Sequence, residues 1–178
     1  MKLIAQLHYA AEPDDAFAML TNTDFQSHKC VENGSISYSV DIAEHHNGGA
    51  TIKTLRVMPT DKAPDYVRAI IGQSLTVDEV DEWDPPTADG SRAGTIHVEI
   101  RGAPVKVTGR IYMRREAGGT VNGIDAEVKA SVPFLGGKIE KAVEPVLQAA
   151  LRVEQREGKA WIARGMRPAD AAAEDAEA

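Results

Sequence analysis

The sequence predicts an α+β domain: a curved antiparallel sheet of about seven strands wrapped around one long C-terminal helix, with two short helices after the first strand. Three observations carry this expectation. From Ile36 to Val132, short runs of alternating apolar and polar residues are joined by turns rich in Gly and Pro, the pattern of an antiparallel meander with one dry face. From Ile139 onward the period changes. Ile139, Val143, Val146, Leu147, Ala150, Leu151 and Trp161 recur at steps of three and four, which marks one apolar helical face. Between the first strand and the first hairpin, Pro13 and Thr23 open two short helical stretches.

Taken in order, Leu3, Ala5, Leu7 and Tyr9 face one way and Lys2, Gln6 and His8 the other, so residues 2–10 read as a strand. Pro13 suits a first helical position, with Asp14 and Asp15 in the electropositive first turn and Ala16, Phe17 and Leu20 on the inner side. Thr23-Asp24-Phe25-Gln26 reads as a capping box, and Asn33-Gly34 as a left-handed stop. Ile36, Tyr38, Val40 and Ile42 then alternate up to the hairpin turn Asn47-Gly48-Gly49, and residues 51–58 return. The stretch from Pro59 to Gly72 breaks the alternation. Its greasy residues Tyr66, Val67, Ile70 and Ile71 are expected to form a lid over one end of a cavity.

Leu75, Val77 and Trp83 mark the next strand, which ends at Pro85-Pro86. Ile96, Val98 and Ile100, then Val105, Val107, Ile111 and Met113, and then Ile124, Ala126, Val128 and Ala130 supply the remaining inward faces. The C-terminal helix, if continuous from Phe134 to Arg164, spans about 45 Å. Pro145 inside it predicts a bend, because its ring crowds the preceding turn and it has no N–H to donate. Residues 1–164 are expected to form a single domain. Residues 165–178, rich in Ala, Glu and Asp without periodicity, are expected to be a disordered acidic tail.

Composition bounds the function. The chain has 178 residues, 43% of them hydrophobic, enough for one sizeable core. A net charge of −7 speaks against a general nucleic-acid binder, which needs a basic face. The single Cys30 cannot form an internal disulfide, and no apolar run spans a bilayer, so a cytoplasmic protein without stable membrane insertion is expected.

The order of these elements resembles the helix-grip fold of the START and polyketide-cyclase-like superfamily. The likeness rests on Ala11-Glu12-Pro13 before Phe17, on Val132-Pro133-Phe134-Leu135-Gly136-Gly137-Lys138-Ile139-Glu140, and on the run to Trp161. Within that superfamily the chain is most similar to a bacterial family described only as a domain of unknown function. The resemblance implies a cavity between sheet and long helix. It leaves three uses of that cavity open: hydrophobic ligand binding, aromatase/cyclase-like catalysis, and a chaperone-activator-like module with a protein partner.

Residue by residue, the expected ligand wall is Tyr38, Trp83, Val98, Val107, Val128, Phe134, Val143, Val146, Leu147, Ala150 and Glu154. Small residues at Gly109, Ala126, Ala130, Ala149 and Ala150 are expected to leave a hollow, and only two Trp, four Tyr and three Phe are present to fill it. Glu154 and Glu157 share the apolar face of the long helix. They would either anchor a polar ligand group or lie in solvent beyond the sheet. No metal is expected, since His45 and His46 are adjacent on a strand and point apart, while His8, His28 and His97 have no ligand spacing. There is no Gly-x-Ser-x-Gly elbow, and Gly136-Gly137-Lys138 lacks the flanking residues of a phosphate loop. A hydrophobic small molecule, bound without cofactor or catalytic machinery, is the expected partner.

Overall fold

Alternation in the sequence becomes seven antiparallel strands in one sheet: β1 (Lys2–Tyr9), β2 (Ser37–Glu44), β3 (Ala50–Pro59), β4 (Ser74–Trp83), β5 (Arg92–Arg101), β6 (Val105–Glu116) and β7 (Gly119–Ala130), ordered β1-β7-β6-β5-β4-β3-β2. The computed structural model describes residues 1–61 and 63–166, and at Val67, Ile70 and Ile71 it describes the backbone alone. Helices α1 (Pro13–Leu20) and α2 (Thr23–Glu32) follow β1, α3 (Asp65–Ile71) interrupts the meander, and α4 (Gly136–Ala163) closes the domain. This is the expected helix-grip arrangement. The expected tail begins at Gly165; Gly165 and Met166 complete the turn that ends α4, and residues 167–178 lie outside the described residues.

One local expectation is corrected. The cap of α2 is Asn22, whose side chain accepts from the N–H groups of Asp24 and Phe25, so Thr23 is the first helical residue. Asparagine is as good a cap as threonine, and it stands one place earlier. Along α4, the helix runs unbroken through Pro145, so no second helix begins there. Pro145 is exposed, and the hydrogen bond it cannot make falls on the side facing water.

Helix α4 packs chiefly on β1 and β7 and on α1 and α2, at the opposite end of the sheet from the β2 edge. Phe25 meets Trp161 edge to face at 5.6 Å, joining α2 to α4 deep in the core. Gly158 lets α4 approach β1 and α1: a Cβ there would lie 2.6 Å from Tyr9 Cε1 and 3.1 Å from Met19 Cε. Gly158→Ala gains about 1 kcal/mol of helix propensity. The overpacking of a buried ring costs about 1–3 kcal/mol, so a net loss of about 1 kcal/mol is expected in denaturant unfolding. An unchanged midpoint would mean that the ring yields freely.

The end of the sheet beside α1 is closed by Phe17 and Trp83, edge to face at 6.0 Å, with the Arg92 guanidinium 3.7 Å above the Phe17 ring. Arg92 is itself held by the Gly48 carbonyl and by Asp14. The other end, toward α3 and the start of α4, is looser. Val40, Leu75, Val77, Val143 and Leu147 are only half-buried there, and Tyr38 is exposed.

Candidate functional site: a polar stripe inside the grip

Register decides what the inner surface carries. Because Trp83 and Val77 face inward, so do Glu79 and Asp81 between them on β4. On β3, Ile52 faces inward opposite Asp81, Thr54 opposite Glu79, and Arg56 opposite Val77. The inner face of β3 and β4 is therefore a ladder of ionisable side chains within an otherwise apolar wall. Opposite it, α2 contributes Lys29 and α4 contributes Glu154.

Two ion pairs tie the stripe together. Lys29 Nζ donates to Glu154 Oε2 at 3.0 Å, with only 7% and 15% of the two side chains exposed, and Asn122 Nδ2 reaches Glu154 Oε1 at 3.4 Å. Arg56 Nη2 donates to Glu79 Oε2. Burial pushes the Glu79 carboxyl up, but Arg56 and Lys29 outweigh it and hold the group below its ordinary value. For Lys29, burial works against the charge, yet Glu154, Glu79 and Asp81 together leave its pKa raised.

Asp81 is different. Burial first, and then the Glu79 charge, push its carboxyl well above the ordinary range. Lys29 and Arg56 oppose this only in part, and Glu154 adds to it. Its Oδ1 is shut off from solvent and has no hydrogen-bond partner among the described residues. Four neighbours share that condition: Thr54 Oγ1, Arg56 Nε, Asn122 Oδ1 and Tyr9 Oη. Burial, assisted by Glu154, also raises the Tyr9 phenol well above its usual value. Shielded atoms without a partner also occur at Gln26, Trp83, Arg92 and Trp161, but the stripe is where they stand among ionisable side chains, which marks it as the candidate site.

The expected wall residues divide. Val98, Val107 and Val128 are buried on the inner face, and Trp83 closes the far end. Val143, Leu147 and Ala150 are half-buried along α4. Tyr38 lies on the inner face of the edge strand β2, 41% exposed. Phe134 and Val146 depart from the expected wall. Phe134 precedes α4 in a left-handed conformation (φ 62) with its ring fully exposed, and Val146 points outward from the helix. Of the expected lid, Tyr66 is exposed on α3, and the side chains of Val67, Ile70 and Ile71 lie outside the described residues.

The small residues do not line one hollow. Gly109 packs so closely on Ala126 that a Cβ would lie 2.3 Å from its Cα, and Ala149 faces solvent. Glu157 is inside the protein but serves elsewhere. It meets His28 Nε2 at 2.7 Å and Arg156, which also donates to Glu32, so it fastens α4 to α2. Two surface concavities also lie off the stripe. One of 510 Å³ on the outer face of the sheet is lined by Glu82, Thr95, Arg110 and Tyr112. Another of 220 Å³ lies between α1 and the β2–β3 hairpin.

Among the described residues, no helix is long and apolar enough to cross a membrane. The fold is shared with the structure of TTHA0849 from Thermus thermophilus, at a TM-score of 0.56 and 14% identity over 90% of this chain and 98% of that one. It is shared too with the di-domain ARO/CYC protein StfQ from the steffimycin biosynthetic pathway, at a TM-score of 0.58 and 17% identity. That match covers 89% of this chain and 49% of StfQ, so the chain spans about half of the di-domain protein. An uncharacterized protein of Mycobacterium tuberculosis, Rv0481c, is 26% identical over 118 residues, 65% of this chain and 67% of the relative. These likenesses show a shared helix-grip architecture, and residues 5–162 match one family model: the chain belongs to the protein family of unknown function DUF2505.

Proposed function

We propose that this protein binds an amphipathic small molecule between the sheet and α4. Its apolar body, a lipid, acyl chain or polyketide-like ring system, lies along Val77, Val98, Val143 and Leu147. Its polar end reaches the stripe at Thr54 and Asp81. One observation carries this reading: shielded polar atoms with no hydrogen-bond partner are gathered on one apolar inner surface, which leaves hydrogen-bonding capacity for a ligand to meet. The half-burial of the apolar residues toward α3 supports entry from that end. The shared fold with an ARO/CYC protein supports small-molecule binding at the level of architecture alone.

The test is Ala150→Leu, a change on the half-buried side of α4 between Leu147 and Glu154. The expected result is weakening of Nile red binding by at least about tenfold with an unchanged melting temperature, since the added side chain takes ligand space. Unchanged probe binding together with a loss of about 1–3 kcal/mol would identify a solid core and end the ligand reading.

A further inference from the structure

The stripe contains three carboxyls and two cations, and both cations are engaged. Lys29 is paired with Glu154, and Arg56 with Glu79. Asp81 is the third carboxyl. Its register partners on β3 and β5 are Ile52 and Ile96, both apolar and buried, so no cation stands directly opposite it, and the nearby Arg56 and Lys29 are already paired with Glu79 and Glu154. Diagonal to it across the β3–β4 pair stands Thr54, 4% exposed, whose Oγ1 has no partner among the described residues. The Oδ1 atom of half-buried Asp81 and the Thr54 hydroxyl thus stand diagonal to each other, both without a partner among the described residues and both able to accept.

From this arrangement we infer that the ligand is an apolar amine, whose protonated nitrogen supplies the counter-charge of Asp81 and donates to Thr54. This rests on the groove-binding reading and names the head group that reading leaves open. Charge balance speaks against the opposite choice. An anionic head group entering the stripe would meet Glu79, Glu154 and Asp81 while competing for cations already paired, and burying one charge without a partner is costly. An ammonium meets one uncommitted carboxyl.

The same balance predicts a proton. Asp81 is faced by Glu79 on its own strand, Arg56 on β3, Lys29 on α2 and Glu154 on α4. In the empty protein the two flanking carboxylates and burial favour its neutral acid. When the ammonium docks, the Asp81 O–H bond breaks, the proton leaves to solvent, and the carboxylate so formed pairs with the ligand. No other bond changes.

The experiment uses three probes with one apolar body, dodecylamine, dodecanol and dodecanoate, titrated calorimetrically below their micellar concentrations at pH 7 and 0.15 M salt. In the wild-type protein dodecylamine should bind at least about tenfold more tightly than dodecanoate. Its apparent enthalpy should vary with the ionisation enthalpy of the buffer, reporting proton release. Asp81→Asn should weaken dodecylamine by at least about tenfold and leave dodecanol within about twofold. Proton release is read on the wild type and so does not depend on how the variant folds. Equal binding of all three probes, or preference for dodecanoate, overturns the amine assignment while the groove reading stands. Failure of all three to bind, with Nile red binding also absent, removes the groove reading itself.

Discussion

Lys29→Met should cost about 3–5 kcal/mol of folding free energy, the largest single effect expected in this protein. The ammonium of Lys29 is almost fully enclosed and held by Glu154, which is itself enclosed on α4. Removing the cation leaves a carboxylate in the interior with Asn122, at 3.4 Å, as its donor. A buried charge whose partner is gone loses far more than the pair contributes when intact. The double variant Lys29→Met/Glu154→Leu should therefore recover most of the loss, to within about 1 kcal/mol of wild type, because no charge is then stranded. Urea unfolding of the wild type, both single variants and the double variant measures the coupling. Additive losses would show that water reaches Glu154 and that the pair is not enclosed as the geometry describes.

If the double variant is as stable as the wild type, the pair is not there to hold the fold. A charged pair on the inner surface that adds nothing to stability fits the proposed ligand recognition better than a role in holding the fold. The stability cycle and the probe titrations thus bear on the same residues from two sides. One asks what the stripe costs the folded chain, and the other asks what it recognises.

Much of the architecture was legible because it depends on period. Leu3, Ala5, Leu7 and Tyr9 took their face from alternation alone, as did the inward residues of β5, β6 and β7. The polar stripe depends on the same alternation, yet reading apolar residues first hides it. Leu75, Val77 and Trp83 identify the strand, and their phase places Glu79 and Asp81 on the inner side as firmly as it places Trp83. Arg56 follows from the phase of Ile52 in the same way. The signal was a charge in a core phase, and a count of apolar residues passes over it.

Glu154 and Glu157 were ambiguous for another reason. Helical angle puts both on one face of α4, but their surroundings are set by α2, whose placement no local pattern reports. Lys29 draws Glu154 into the stripe, and His28 and Arg156 hold Glu157 outside it. Phe134 shows the limit in reverse. A large apolar residue beside a helix start reads as core, yet its positive φ turns the ring into solvent.

Asp81→Asn should stabilise the protein at neutral pH, by about 2 kcal/mol, or about 4–8 °C in melting temperature for a chain of this size. The cause is the raised pKa of Asp81, set by burial and then by Glu79. Between the ordinary carboxyl value of 3.8 and its folded value, the native chain binds a proton that the unfolded chain has released. Wild-type stability from this group is therefore fully present below 3.8 and is lost as pH rises through the folded pKa. Asparagine keeps the shape and does not titrate. The gain should be near zero at about pH 3.5 and should grow as pH rises toward 7. Glu79→Gln supplies the opposite sign. The Glu79 pKa is lowered, so its contribution is present above 4.5 and lost as pH falls, and its removal should hurt most at neutral pH. Melting curves of the two variants and the wild type from about pH 3.5 to 7.5 should diverge upward for Asp81→Asn and downward for Glu79→Gln. A gain for Asp81→Asn that does not depend on pH would mean that its carboxyl titrates as if in water, and the third, unmatched carboxyl of the stripe would no longer be available to recognise a cation.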